Sequence, residues 1–319
     1  MILILSNKWD ISVDFVIREL QKRNYKFLRI NCEDLPNLNV SFKFPNLNFV
    51  IKNNNENQFS NNLKSIWFRR PGKAFEFDNN IKKEKLETLK FIQNQWISFI
   101  DGLRALKNVF WINDPIRNEE AENKILQLKI AESIGFKIPK TYITNDKELL
   151  NKFISDCKGE IILKALYSPL IEGDEKDYFI FTNKVSNLKD FPASRFKISP
   201  IIAQEYIKDK IDYRVTVIGN EIFAVKILLK NGSLISSDWR LINDNISFIP
   251  CKLSNKIARK CLKLVRRLGL VFGAIDLLEV NSKFIFLEIN PNGEWGWLET
   301  QTEYPIAKTI SDCLIKGEL

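Results

Sequence analysis

The opening Met1-Ile2-Leu3-Ile4-Leu5 is continuously apolar, the stretch from about Val13 to Arg23 repeats apolar residues at helical spacing, and Tyr25 to Ile30 turns apolar again. This order predicts a strand, helix and strand unit at the start of an α/β domain. A polar, Asn-rich stretch from about Lys52 to Asn62 predicts a loop or excursion, and Ser65 to Arg69 predicts a strand that Pro71 and Gly72 stop. From about Lys82 to Leu106, Leu86, Leu89, Ile92, Trp96, Phe99, Ile100 and Leu103 fall on one side of a single long amphipathic helix. A second helix is expected from about Glu119 to Ile134, ended by Gly135 and blocked by Pro139.

From Glu160 the pattern changes to short β-rich runs at Glu160 to Ala165, Tyr178 to Thr182, Ile201 to Tyr206, Tyr213 to Ile218 and Glu221 to Leu229. Gly219-Asn220 between the last two suits a tight hairpin turn. A helix from about Ser254 to Leu268 and strands at Phe272 to Val280 and Phe284 to Asn290 complete the series. No repeat of solenoid period is visible. The succession divides the chain into an α/β domain at 1–112, a central domain at 113–200 and a β-rich domain at 201–319.

Composition narrows the chemistry. With 45% hydrophobic and 27% charged residues over 319 positions, the chain reads as globular, with enough length for two or three domains around one continuous core. The apolar opening is short, has no basic region before it and meets charge at Lys8 and Asp10, so neither a signal peptide nor a membrane partner is expected. Five scattered cysteines without a close pair fit a reducing cytoplasm. There is no histidine, which removes the usual general base, the usual transition-metal ligand and every imidazole-dependent triad. The net charge of +9 favours an anionic partner and salt-sensitive binding, although the joint heavy use of Asn, Ile and Lys explains a lysine excess equally well. Basic and aromatic residues form no stripe along the sequence, so nucleic acid is not expected as the partner. The first turn, Ser6-Asn7-Lys8-Trp9, contains no glycine and excludes a dinucleotide fingerprint.

Asp276, Glu288 and Asn290 place oxygen-bearing side chains in strands otherwise as apolar as buried ones. Glu288 and Asn290 lie two apart and so share a face. Asp276 joins them if a three-residue loop, Asn281-Ser282-Lys283, connects the strands; a two-residue loop would turn it to the other face. Two carboxylates and an amide without imidazole or thiolate suit magnesium, and a buried carboxylate network neutralised by lysines accounts for the same residues equally well. Upstream, Lys164 ends a strand from which an ammonium could reach a phosphate, and Lys124 sits within the helix before Gly135. Gln204-Glu205-Tyr206-Ile207 reads as a strand edge able to bond an adenine through its backbone. Arg214, after Asp212-Tyr213, and Arg240, after Asp238-Trp239, offer bidentate recognition of phosphate or carboxylate.

In order and spacing from about Asn113 to Asn292, this succession resembles the ATP-grasp superfamily. The resemblance implies an α/β (α+β) ATP-grasp fold with an N-terminal pre-ATP-grasp domain, and an ADP-forming ligase that activates a carboxylate as an acyl phosphate. It implies ATP and Mg2+ as cofactors: Lys124 and Lys164 on the phosphates, Glu205, Tyr206 and Ile207 at the adenine, Asp212 on the nucleotide, and Asp276, Glu288 and Asn290 on magnesium. Trp67-Phe68-Arg69-Arg70-Pro71, Asp238-Trp239-Arg240 and the run from Asn290 through Gly293-Glu294-Trp295-Gly296-Trp297 to Glu299 further resemble the graspetide synthetases, which macrocyclise microviridin-like ribosomal peptides. That narrower resemblance implies a precursor peptide, with leader and core, as substrate, which the basic charge balance suggests is acidic; Arg214 and Arg240 are the candidates for stabilising phosphate and oxyanion. It is compatible with a homodimer, which nothing in the residues demands. The loop Ser168 to Asp174 departs from the glycine-rich phosphate cover of many ATP-grasp enzymes. Two other readings stand beside it: an amino-acid ligase acting on a protein tail, and a non-catalytic nucleotide-binding or nucleic-acid-binding protein.

Overall fold

The computed structural model describes all residues except 54–55, 60–62, 77–84, 168–169, 172–177, 181, 236–238 and 243–244. The expected opening unit is present as β1 (Ile2–Ser6), α1 (Ile11–Lys22) and β2 (Phe27–Asn31), with Asp10 capping the helix by accepting from the Ser12 N–H at 3.0 Å. Next come β3 (Asn39–Lys43), β4 (Asn48–Asn53) and β5 (Glu56–Phe59), an antiparallel sheet of their own. The polar stretch expected as a loop or excursion therefore carries strand pairing, Val50 with Phe59 and Asn53 with Glu56. Ladder bonds are made by backbone groups, and the weak strand preference of Asn does not forbid them once a partner strand lies alongside.

Strands β6 (Ser65–Phe68) and β7 (Phe110–Ile112) complete a parallel sheet in the order β2-β1-β6-β7. Between them lies α2 (Leu86–Asp101), which tightens into a 3-10 turn over Gly102–Ala105; the expected helix start at Lys82 lies outside the described residues. The single helix expected over 119–134 is two helices, α3 (Pro115–Glu122) and α4 (Lys124–Ser133). Asn123 breaks them with ψ at 104°, and its side chain caps α4 by accepting from the Ile125 and Leu126 N–H groups.

The middle of the chain contributes β8 (Thr141–Thr144), α5 (Lys147–Asp156), β9 (Ile161–Lys164), β10 (Leu170–Ile171), β11 (Tyr178–Phe179), β12 (Asn183–Val185), α6 (Ala193–Lys197) and β13 (Ile201–Glu205). Four of these strands form an antiparallel sheet, β12-β9-β13-β8, whose own small core includes Leu150, Phe153, Ile154, Ile161, Leu188 and Ala203. β13 sits inside this sheet, so a boundary at residue 200 would cut it.

The last sheet is antiparallel: β14 (Ile211–Ile218), β15 (Glu221–Leu229), β16 (Ile246–Cys251), β17 (Phe272–Val280) and β18 (Lys283–Asn290), ordered β16-β15-β14-β17-β18. The expected hairpin at Gly219-Asn220 joins β14 to β15, with Gly219 at φ +58°. One face, through Val215, Val217, Ile275 and Phe286, packs on α4 and α7 (Asn255–Arg267). On the other face, Ile218, Val225, Phe272 and Ala274 share a core with Ile2, Ile4, Val16 and Trp67 of the N-terminal unit, beneath α8 (Gly296–Thr302) and α9 (Ile306–Lys316). Trp295, fully buried, is the plug of this shared core, and Trp297 packs half-buried on Trp239 and Phe248. The tryptophans after the candidate metal ligands are thus packing groups. No helix among the described residues is long and apolar enough to cross a membrane.

Candidate active site

The five-stranded sheet changes character along the face it turns to the shared core. Phe272 and Ala274 on β17 lie under Trp295, and the next two residues on that face, Asp276 and Leu278, line a cleft. Asn281 and Ser282, both with positive φ, form a two-residue turn between β17 and β18, not the three-residue loop expected. Left regular, that register would set Asp276 opposite Leu287 and away from Glu288. A β-bulge after Asp276 adds Leu287 to β18 and restores the alignment, pairing Asp276 with Glu288 and Ala274 with Asn290. All three candidate ligands therefore share one face. Asn290 bonds its own turn, its side-chain oxygen accepting from the Asn292 N–H at 2.8 Å.

Asp276 is nearly buried and lies between two guanidinium groups: Arg214, its cross-strand partner on β14, at 2.9 Å and Arg240 at 2.6 Å. Arg214 is wedged in place, because a Cβ at Gly293 would come within 2.6 Å of its Nη2. Arg240 also reaches to 4.0 Å from Glu288 and lies over the Trp239 ring. Asp238, which precedes them, is outside the described residues.

Glu288 gathers lysines from separate elements. Lys164 at the end of β9 lies 3.2 Å from its Oε2, and Lys124, the first residue of α4, lies 4.0 Å away while donating to the Ala165 carbonyl. Lys164, and with it Lys124 and Arg240, outweighs burial and holds the Glu288 carboxyl down at about 2. Burial pushes the Lys124 ammonium below its ordinary value. Lys124 thus does not stand in mid-helix, as expected; the break at Asn123 aims it at this cluster.

Between the sheet of β9 and β13 and the sheet of β14 and β17 runs a cavity of about 330 Å3, floored by Asp212, Asp276, Leu278 and Glu288 and roofed by Ile162 and Lys164. Tyr206 and Ile207 line its far end after the chain has left the sheet at Glu205. The expectation of a strand edge at 204–207 is corrected here: β13 is internal, the Glu205 N–H donates to the Lys140 carbonyl at 3.0 Å, and its carboxylate accepts from the Lys140 N–H. Asp212 is buried in an ion pair with Lys210, a cavity-lining residue the sequence reading passed over. Of the loop Ser168 to Asp174, which departs from a glycine-rich phosphate cover, only Leu170 and Ile171 are described, paired with Tyr178 and Phe179.

Three further residues hold the site, none of which the sequence reading places in it. Gln127, buried in α4, donates to the Ile289 carbonyl and accepts from the Ile289 N–H, which fixes β18 against Lys124. Asn113 donates to the Phe272 and Pro291 carbonyls and accepts from the Val271 and Phe272 N–H groups. Arg69, 2% exposed, donates to the Asn292 and Gly293 carbonyls and pairs with Asp10 at 2.8 Å. The end of the first sheet thereby grips the turn that follows Asn290.

The donor set suits a hard cation, since Asp276, Glu288 and Asn290 offer oxygen only. Cations ring the same spot, as binding a polyphosphate requires. The charge excess is concentrated elsewhere. From Lys252 to Arg267, through α7 on the far side of the sheet, seven Lys and Arg occur with no Asp or Glu. This basic run is already legible in the linear sequence, and it carries no aromatic residues.

Two family models cover the chain, a RimK-like ATP-grasp domain at residues 121–314 and an MvdD pre-ATP-grasp domain at residues 1–119. Among curated proteins, a tetrahydromethanopterin:alpha-L-glutamate ligase from Methanocaldococcus jannaschii is 27% identical over 76% of this chain and 86% of its own. Among solved structures, a RiPP-associated ATP-grasp ligase from Chryseobacterium gregarium, in complex with ADP and a leader and core peptide, superposes with TM-score 0.86 at 25% identity, covering 100% of this chain and 97% of that one. The macrocyclase MdnC from Microcystis aeruginosa, bound with the precursor peptide MdnA, gives TM-score 0.86 at 24% identity over 99% of both chains.

Proposed function

The chain belongs to the RimK-like ATP-grasp family, and from that premise we propose that it is a peptide macrocyclase, an ADP-forming ligase that crosslinks side chains of a ribosomally made precursor. The observation that carries this reading is its whole-length likeness, pre-ATP-grasp unit included, to a RiPP-associated ligase complexed with ADP, leader and core peptide. A side-chain carboxylate of the peptide takes the γ-phosphoryl group of ATP, and a Ser or Thr hydroxyl or a Lys amine then displaces phosphate to give an ester or amide.

In this reading Tyr206 and Ile207, with the Glu205 segment, hold the adenine, Asp212 the nucleoside, and Lys124 and Lys164 the phosphates. Asp276, Glu288 and Asn290 would hold magnesium, which when bound supplies neutralisation of phosphate charge. Arg240, the more exposed of the two arginines, meets the transferring phosphoryl group, and Arg214, walled in by Gly293, holds the Asp276 carboxylate in place. Positioning and charge neutralisation of this kind drive phosphoryl transfer without histidine. A precursor rich in acidic residues would suit the net charge of +9.

The glutamate ligases among the relatives favour one second reading, addition of amino-acid residues to an acceptor. Co-expression with a small acidic peptide encoded beside the gene, followed by mass spectrometry, separates the two. Cyclisation removes multiples of the mass of water, whereas ligation adds residue mass; an unchanged peptide with no ATP-dependent ADP release would sink both.

A further inference from the structure

A second cavity, about 640 Å3, meets the nucleotide cavity at Lys164, Thr182, Arg240 and Glu288, which line both. Its other walls include Phe68, Ile97, Asp101 and Glu122 from the N-terminal unit and the helices after it, Tyr167 and Ile180 from the middle of the chain, and Asn290 at the end of β18. Cations mark the junction as the phosphate end of the nucleotide cavity, so a carboxylate activated there has ATP on one side and this second cavity on the other. The nucleophile that displaces phosphate must arrive from the second cavity.

A hydroxyl holds its proton at neutral pH, and even a neutral amine must shed one as it becomes an amide. Four carboxylates line this cavity. Glu288 is taken by Lys164, while Asp101 and Glu119 are exposed. Glu122 is half-buried, and its carboxylate makes no hydrogen bond or ion pair among the described residues. Its direction follows from the helix break. In a continuous helix, residues two apart point about 200° away from each other; with α3 ending at Glu122 and α4 starting at Lys124, both line the same cavity.

Resting on the ligase reading, we propose that Glu122 is the general base of the second half-reaction. Its carboxylate accepts the proton of the attacking hydroxyl or neutral amine as the new C–O or C–N bond forms. The bond between the acyl carbon and the phosphate oxygen breaks, and phosphate departs with that electron pair. The proton then passes from Glu122 to water at the cavity mouth. Burial, together with the repulsion of Glu288, raises the affinity of Glu122 for a proton, against the opposing pull of Lys124. The other charged groups facing the cavity are Lys164 on β9, Arg240, Glu119 on α3 and Asp101 on α2.

Hydroxylamine, a small neutral nucleophile that can lose its proton to solvent after it attacks, separates the two half-reactions. With the peptide cyclised in the co-expression experiment, Glu122→Gln should slow crosslinking by about 10²–10⁴-fold while hydroxylamine still traps the acyl phosphate as hydroxamate. The acidic limb of the crosslinking rate, where wild-type Glu122 becomes protonated, should vanish in Glu122→Gln and persist in Glu122→Asp at a reduced rate. Crosslinking at the wild-type rate in Glu122→Gln, or a parallel loss of hydroxamate, overturns the assignment. If the wild-type enzyme itself yields neither hydroxamate nor ADP with that peptide, the ligase reading falls and takes this proposal with it.

Discussion

The floor and the roof of the nucleotide cleft are built in different ways. The floor, Asp276 and Glu288, stands on a sheet whose core is continuous with the N-terminal unit, and Arg69, Asn113 and Gln127 tie down the strand and turn around it. The roof, Lys164 with the Tyr206 segment, belongs to a sheet whose core is small and separate. Side-chain contact between the two passes through Glu288, which Lys164 meets at 3.2 Å. Groups that must keep an ångström-scale arrangement thus sit on the heavily cross-braced part, and the part that closes over the nucleotide keeps an independent core, which permits rigid-body movement.

The largest expected effect comes from removing charge on the floor. Glu288→Gln and Asp276→Asn should each lower ATP-dependent water loss from the peptide by at least about 10³-fold. They should differ in stability: Glu288→Gln folds normally, whereas Asp276→Asn leaves Arg214 buried without its carboxylate and costs up to about 3–5 kcal/mol, read as a lower denaturation midpoint. Turnover retained in either variant would remove the metal assignment.

Cavities in the two cores sharpen the contrast next. Trp295→Ala and Phe153→Ala should each cost about 3–5 kcal/mol. Hydrogen exchange should show the first loosening β1, β14 and β17 together, since their residues share that core, and the second loosening only the sheet of β8, β9 and β13. Uniform loss of protection in Phe153→Ala would show that the two parts are one cooperative unit.

The smallest expected effect is on acidification of the magnesium-free protein. The Glu288 carboxyl is held at about 2, below its ordinary value of 4.5, so its contribution is complete above about 4.5 and fades as pH falls towards 2. Protection of the β9 amides near Lys164 should fall through that window. In Glu288→Gln this fall should be absent; its persistence would place the acid-sensitive contact elsewhere.

Much of this architecture is local and therefore readable in order along the chain. Apolar runs mark β1, β14, β17 and β18, the first three of them buried on both faces, and helical spacing marks α1 and α7, which each bury one face. The oxygen donors stand out for a similar reason, being costly in strands otherwise apolar. Other features depend on partners far away in sequence. The strands of 39–59 pair through backbone groups that polar composition does not reveal, and the capping role of Asn123, which turns Glu122 and Lys124 to the same cavity, looks in sequence like any polar helix residue.

The amino-acid order determined that three oxygen donors and a set of Lys and Arg would be available, that imidazole would not, and that apolar strands would carry them. Tertiary structure alone decided that they meet. The turn at Asn281-Ser282 is a residue too short to face Asp276 with Glu288, and the bulge at Leu287 makes up the difference. Where such a bulge forms depends on the strands and side chains packed around it, which no reading of the two strands by themselves contains.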